Sequence, residues 1–250
     1  MKKISIITAT FNSSFSIRDC VRSINDQTYP DIEHIIIDGA SHDDTLEIIK
    51  SMPNRVARIV SEPDMGIYDA MNKGIRIATG EIIGILNSDD LYVDRDVLLK
   101  VAGKFDECNC DSLFGDLYYV NRDNTDIIVR TWITKKFVPG SFRKGWHPPH
   151  PTLFLKKEVY EKYGLFDLNF RLAADFEFML RLFEKHRISS VYIPMPMIRM
   201  RLGGATSKNL KNIYNQNIEC YNAFRKNDLP VSFLYPVYRL MPKLFQFIRR

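Results

Sequence analysis

Apolar residues recur in short, almost unbroken runs through residues 1–90, each closed by a polar turn. Ile4-Ser5-Ile6-Ile7 ends in Thr8-Ala9-Thr10-Phe11-Asn12-Ser13-Ser14. Ile32-Glu33-His34-Ile35-Ile36-Ile37 ends at Asp38-Gly39. Residues 56–60 lead into Ser61-Glu62-Pro63-Asp64-Met65-Gly66, and residues 82–86 into Asn87-Ser88-Asp89-Asp90. Runs this short and continuous predict parallel strands covered on both faces. Helical spacing fills the intervals. Ile17, Cys20, Val21 and Ile24 share one face of a helix over about 15–27. Ser41-His42-Asp43-Asp44-Thr45 offers a cap to a helix over 46–51, and 67–78 reads as a third helix. Alternating strand and helix predicts an α/β fold with a Rossmann-like, mostly parallel open sheet flanked by helices. Ligands in such sheets bind beyond the carboxyl ends of the strands. Asp38, Asp64, Asp89 and Asp90 all follow strands, so they are expected to converge in one cleft.

The second half is less regular. It predicts a helix over 93–105 and a strand over 112–120 with a break inside it. A strand over 127–133 pairs back as a hairpin across 121–126. Pro139, Gly140, Gly145, Pro148, Pro149 and Pro151 make 138–151 a loop. A short strand over 153–155 and helices over 157–163 and 175–186 follow. Near the end, Val237, Leu240, Met241, Leu244, Phe245 and Ile248 have helical spacing, with Pro236 suited to a first turn and Pro242 expected to kink the helix.

Composition adds constraints. The chain has 250 residues, 45% hydrophobic and 26% charged, ordinary globular values. No apolar run reaches the length of a membrane span. The start, Met1-Lys2-Lys3-Ile4, reads as the entry to a buried strand, its apolar stretch being too short for a secretory leader. Cys20, Cys108, Cys110 and Cys220 have neither disulfide-framework nor zinc spacing, so free thiols in a cytoplasmic protein are expected. The net charge of +5 is uneven. Residues 1–198 carry 25 basic and 28 acidic residues, and 199–250 carry ten basic and two acidic. The basic tail and its apolar stripe suit an anionic surface, with peripheral attachment to the inner face of the cell membrane. Packing on the body, or on a second copy in a homodimer, is the other arrangement.

The chemistry lies in carboxylates. Asp89 and Asp90 are adjacent after an apolar strand, and a helix cap needs only one of them. Two carboxylates in a cleft repel unless a cation offsets them. A hard divalent ion, Mn²⁺ or Mg²⁺, would do so while holding a diphosphate. Asp38 is a good acceptor for a nucleobase N–H. Asp175 begins a helix and is either a cap or a base for a hydroxyl nucleophile. His147 and His150 flank Pro148-Pro149 without metal-ligand spacing. Gly-x-Ser-x-Gly, Gly-x-Gly-x-x-Gly and phosphate-loop motifs are all absent.

Taken together, these segments resemble family 2 glycosyltransferases of the GT-A fold, of the bacterial colanic-acid, O-antigen and exopolysaccharide type. The resemblance is carried by Ile4-Ser5-Ile6-Ile7-Thr8-Ala9-Thr10-Phe11-Asn12, by Ile35-Ile36-Ile37-Asp38-Gly39-Ala40-Ser41 through Thr45, and by Ser61-Glu62-Pro63-Asp64 through Tyr68-Asp69-Ala70-Met71-Asn72-Lys73-Gly74. Ala78-Thr79-Gly80-Glu81, Asn87-Ser88-Asp89-Asp90, Gly164-Leu165-Phe166-Asp167 and Ala174-Asp175-Phe176-Glu177 complete it, over about residues 3–205. It implies inverting transfer from a nucleoside-diphosphate sugar, a UDP-sugar favoured, to a hydroxyl of a lipid-linked saccharide in cell-surface polysaccharide synthesis. Thr8, Thr10, Phe11, Asp38, Asp64, Asn72 and Asp89 would bind the nucleotide sugar. Asp90 would ligate the metal, and Asp175 would be the catalytic base. Trp146, His147 and His150 would close on the acceptor or diphosphate. It also implies a domain over 1–205, with a nucleotide-binding half at 1–90 and an acceptor half at 91–205, before a helical basic extension at 206–250. Two positions depart from many relatives: Phe11 stands where Tyr is common, and Ala174 where Glu is common. A nucleotidyltransferase would want glycine and basic residues in 8–16, which has neither. A non-catalytic sugar-binding protein would not need all of Asp38, Asp89, Asp90 and Asp175. Nucleic acid is not an expected partner.

Overall fold

The computed structural model describes residues 1–203, 210–236 and 239. The chain forms two compact units. The first comprises 1–136, 148–165 and 189–202. The second comprises 137–147, 166–188 and the described residues from 203 onward.

The first unit is built on a nine-stranded sheet flanked by helices. Its first half follows the pattern of apolar runs: β1 (Ile4–Thr10), α1 (Ile17–Asn25), β2 (Ile32–Asp38), α2 (Thr45–Ser51), β3 (Val56–Ser61), α3 (Ile67–Ile77) and β4 (Ile82–Ile85). The four strands are parallel in the order β3-β2-β1-β4. β1 is buried along its whole length, as a central strand covered on both faces must be. Ile17, Val21, Ile36 and Ile49 pack α1 and α2 on one face. On the other, α3 lies so close that a Cβ on Gly74 would sit 2.4 Å from the Ile7 side chain and 3.3 Å from Ile37. Gly74 is thus the contact point of helix and sheet.

The sheet continues through β5 (Leu91–Tyr92), β6 (Ser112–Val120), β7 (Ile128–Trp132), β8 (Phe154–Lys156) and β9 (Ser190–Arg201), with α4 (Val97–Glu107) and α5 (Lys157–Tyr163). The order runs β4-β8-β6-β9-β5, and β7 pairs with β6. β5, β7 and β8 run antiparallel to their neighbours, so the sheet is mixed but mostly parallel.

Several expectations are corrected here. Residues 93–96 are not helical, because β5 and a turn precede α4. The expected break at Gly115-Asp116 is a register shift inside a continuous β6, opposite β9. β9 itself was missed, since Pro194 and Pro196 argue against a strand. The register shift accommodates them: Phe114 pairs with Tyr192 and Asp116 with Pro196. A Cβ on Gly115 would approach Met195 O to 2.8 Å, so glycine permits the bulge. Cys108 and Cys110 form a disulfide, and only Cys20 and Cys220 are free thiols, both buried.

In the second unit, α6 (Ala174–Leu180) runs into a single π turn over 181–185, and α7 spans Leu210–Lys226. Phe137, Phe142, Phe176, Phe183, Phe224 and Tyr235 form its aromatic core. Of the terminal helix expected beyond Pro236, only Pro236 and Arg239 lie within the described residues.

A polar lock ties the amino ends of the parallel strands together. The Glu33 carboxylate accepts from Ser5 Oγ (2.5 Å), Thr79 N (2.8 Å) and Thr79 Oγ1 (2.8 Å), with Lys3 Nζ at 3.5 Å. A Cβ on Gly80 would collide with Ser5 N at 2.6 Å. Burial raises the carboxyl's pKa, but these hydrogen bonds outweigh it and hold Glu33 at about 2. The Glu33 charge therefore stabilises the fold fully above the ordinary carboxylate range, and that contribution is lost as pH falls through the range toward 2. Glu33→Ala should cost about 1–3 kcal/mol in urea denaturation at pH 7 by stranding buried donors. The gap from the parent protein should narrow on acidification toward pH 2.

Candidate functional site

The carboxyl ends of β2, β1 and β4 lie side by side, and the loops leaving them interlock. Asn12 N donates to Ser41 Oγ (2.8 Å), and His42 N to Asn12 Oδ1 (2.9 Å). Ser13 N donates to Thr45 Oγ1 (2.7 Å) and Ser14 N to Asp43 Oδ2 (3.0 Å). Asp43 also accepts from Thr45 N and Oγ1, so it caps α2 and binds the first loop at once. Burial raises its carboxyl, but the Thr45 and Ser14 hydrogen bonds prevail and bring its pKa to about 2. Ser13 Oγ meets Ser88 Oγ at 2.8 Å, which ties the first loop to the tetrad after β4. Asn12 and Ala40 take positive φ of 47° and 60°, backbone strain that these bonds hold in place.

The expected nucleotide-binding residues fall into two groups. Phe11 is 57% exposed, so its ring is open to a ligand. Beneath it a Cβ on Gly39 would lie 3.4 Å from the Phe11 ring and 2.6 Å from Asp64 Oδ2. The ring and the Asp64 carboxylate thus meet over a bare stretch of backbone. Asp64 Oδ1 accepts from Gly66 N (2.8 Å), and Gly66 has φ 112°, a conformation that glycine adopts without penalty.

The second group shapes the site from below. Thr8 is fully buried, its Oγ1 3.0 Å from His34 Nε2; burial brings the His34 pKa to about 3, leaving the ring neutral. Asp38 is fully buried too. Its oxygens meet Ser41 Oγ (2.5 Å), Ser41 N (3.0 Å) and Ser61 Oγ (2.6 Å). That carboxylate joins the loops after β2 and β3, rather than standing open to a base. Asn72 is 2% exposed on α3. Beside it, Lys73 bridges Glu62 (2.8 Å) and Pro63 O (3.0 Å), and Asp69 Oδ2 accepts from Met65 N (3.1 Å). Much of the sequence signature over 61–74 therefore fixes the loop that presents Asp64.

Asn87–Asp90 forms a tight turn, with Asp90 N donating to Asn87 O at 3.0 Å. Asn87 Nδ2 donates to Asp90 Oδ2 at 3.0 Å. Asp90 is 1% exposed. Its Oδ1, together with Asn87 Oδ1 and Thr10 Oγ1, is buried without a hydrogen-bond partner among the described residues. Burial, and then the Asp89 charge, push the Asp90 carboxyl well above the ordinary carboxylate range, and burial raises Asp89 as well. A buried acceptor without a donor is costly, and a hard cation with oxygen ligands would satisfy it. Among the described residues no three His, Cys, Asp or Glu side chains gather into a metal site. A cation held here would need ligands beyond these side chains.

Sequence reasoning missed Arg201, which is 6% exposed at the end of β9. It donates to Asp89 O (2.9 Å) and Arg122 O (3.1 Å) and pairs with Asp19. The alternation of Arg199 and Arg201 at the end of an apolar run was the available signal. A groove of about 540 Å³ beside α1 and β5, lined by Asp19, Arg22, Tyr92 and Arg199 among others, contains none of the expected site residues.

The remaining candidates divide between the units. His150 begins a 3₁₀ turn in the first. Trp146, His147 and Asp175 belong to the second. There Glu184 accepts from Gly140 N (2.8 Å) and Phe142 N (3.3 Å). Trp146 packs on Phe137 and Phe142, and His147 lies edge-on to Phe176. Asp175 sits in the first turn of α6, half-buried. From α7, Glu219 accepts from Leu172 N (2.8 Å) and Ala173 N (2.9 Å), just ahead of that turn. The buried Glu177 is held by Arg181 (3.0 Å) and Asn227 (2.9 Å).

Comparison with known proteins agrees with this architecture. An uncharacterized glycosyltransferase of Mycobacterium tuberculosis (strain ATCC 25618 / H37Rv) is 34% identical over 180 residues, 71% of this chain and 68% of that protein. Staphylococcus aureus TarS residues 1–349, crystallised with UDP, superimpose with a TM-score of 0.64 at 19% identity, covering 91% of this chain and 67% of that one. Against the longer TarS chain the coverage is 39% of its length. The mannosyltransferase PcManGT of Pyrobaculum calidifontis, in complex with GDP-Man and Mn²⁺, gives 0.64 at 18% identity, covering 99% of this chain and 70% of that one. The structural likenesses establish the GT-A fold. With residues 5–164 matching the family model for glycosyl transferase family 2, the chain belongs to that family of glycosyltransferases.

Proposed function

We propose that the protein transfers a sugar, with inversion, from a nucleoside-diphosphate sugar to a hydroxyl of a lipid-linked saccharide acceptor. The observation that carries this reading is the buried, donorless pair Asp90 Oδ1 and Asn87 Oδ1 at the end of β4. That arrangement is what a site completed by a cation and a diphosphate would need. Support for the donor class comes from relatives of the same fold crystallised with UDP and GDP-Man. A UDP-sugar is the favoured donor.

In this reading the base stacks on the exposed Phe11 ring, and Asp64 receives its polar edge or the ribose. Asp38 acts through Ser41 and Ser61, keeping those loops in register. Asp89 faces the ribose and donor sugar, its backbone fixed by Arg201. Asp90, oriented by Asn87, would hold Mn²⁺ or Mg²⁺. When bound, that cation would neutralise charge on the departing diphosphate. Asp175 would take the proton of the acceptor hydroxyl as it attacks opposite the leaving group, so the anomeric configuration inverts. Positioning the hydroxyl against the anomeric carbon supplies much of the acceleration. Trp146, His147 and His150 are assigned to the acceptor side. Asp175 lies beyond residues 5–164 matched to the family, so its proposed role is supported by its half-buried place in the first turn of α6.

Two outcomes are expected. Asp175→Asn should lower kcat by roughly 10²–10⁴-fold while donor affinity stays within about two-fold; undiminished transfer would remove Asp175 as the base. Asp90→Ala should weaken UDP binding in the presence of Mn²⁺ by roughly 10–100-fold, with little change in its absence. Full transfer activity of the parent protein in excess chelator would reject the metal assignment.

A further inference from the structure

Among the described strands, β7 pairs only with β6, so one backbone edge is open. Apolar side chains on this strand and at its two ends are exposed: Ile127 52%, Ile128 48%, Val129 55% and Ile133 70%. Large β-branched residues on an open edge are a liability in a soluble protein unless something covers them. The strand is rigidly backed. Trp132 stacks on Tyr119 at 6.2 Å with an interplanar angle of 3°, and the Arg130 guanidinium lies over the same Tyr119 ring at 4.1 Å. Residues 127–138 contain three basic side chains, Arg130, Lys135 and Lys136, and no acid. Lys135 and Lys136 are exposed. The nearest preceding acid, Asp126, is paired with Arg199 at 2.6 Å.

We propose that the β6–β7 hairpin is a docking element for an anionic lipid bilayer surface, with Ile127, Ile128, Val129 and Ile133 entering the headgroup region and Lys135 and Lys136 meeting lipid phosphates. Charge decides between this and a second copy of the chain. Two β7 edges paired with one another would face cation with cation and supply no carboxylate for either. A bilayer bearing negative headgroups satisfies the cations and covers the apolar side chains together. The interfacial level also leaves the open strand edge within reach of water and headgroups, as unpaired backbone requires. Among the described residues no helix is long and apolar enough to cross a membrane, so attachment through this hairpin is peripheral. The inference is independent of the transfer chemistry and uses none of the site residues.

The test is flotation of the full-length chain with vesicles of phosphatidylcholine alone or mixed with phosphatidylglycerol. The parent protein should float with the mixed vesicles. Ile127→Asn combined with Val129→Asn should reduce that partition on the order of ten-fold. Lys135→Glu combined with Lys136→Glu should reduce it by at least about five-fold per charge, with no effect on phosphatidylcholine vesicles. All four positions are exposed, so both variants should keep the parent's thermal midpoint and its UDP binding. Flotation of both variants equal to that of the parent would overturn the proposal. So would a parent dimer in sedimentation that the apolar variant converts to monomer while vesicle binding is unchanged.

Discussion

Two neighbouring carboxylates at the end of a buried strand are the constraint around which the first unit is organised. Asp90 is almost wholly enclosed, Asp89 is next to it, and Asp90 Oδ1 has no donor among the described residues. Their mutual repulsion and loss of hydration must be offset by something outside the pair. The protein supplies part of the compensation. Asn87 donates to one Asp90 oxygen, and Arg201 reaches the Asp89 backbone from the end of β9, the strand paired with β5. What is left uncompensated is one carboxylate oxygen and one amide oxygen, both hard acceptors. This residual deficit is the physical reason for reading the turn as a place for a cation and a diphosphate.

The surrounding architecture keeps that turn rigid. Parallel pairing brings the ends of β2, β1 and β4 into a row, and the serine, threonine and aspartate bonds among their loops prevent independent movement. The Glu33 lock at the opposite ends of the strands and the close seating of Gly74 on Ile7 fix the sheet behind them. Phe11 and Asp64 are then presented over Gly39 with little freedom. The family's sequence signature is thus mostly a description of loop geometry. Asp43, Asp69, Lys73, Thr79 and Gly80 each have a structural partner, and a smaller set, Phe11, Asp64, Asp89 and Asp90, is the part that the proposed function gives to the ligand.

This division explains what the sequence could and could not reveal. β1, β2 and β4 were legible because a strand buried on both faces is written as an apolar run, whereas β3 was found from a weaker pattern and lies largely exposed at the sheet edge. β9 was not legible. Its two prolines contradict a strand locally and are tolerated only because β6 shifts register opposite them at Gly115. Arg201 was lost with β9, since its contact with Asp89, 112 positions away in sequence, follows from the pairing of β9 with β5. Thr8 and Asp38 were legible as signature residues, but their burial was not, because a polar residue at a strand end looks the same whether it faces a ligand or a neighbouring loop. The hold of Glu219 on the chain entering α6 likewise depends on α7, whose position no local pattern gives.

Asp90 is the residue proposed to hold the cation, and a carboxyl raised by burial would lose its proton more readily once a cation binds. Calorimetric titration of the protein with preformed Mn²⁺–UDP, repeated in buffers of different ionisation enthalpy, measures that exchange directly. Tighter binding by the parent protein than by Asp90→Asn is expected, with the larger proton release from the parent. Mn²⁺–UDP binding left undiminished in Asp90→Asn would contradict a cation site at Asp90.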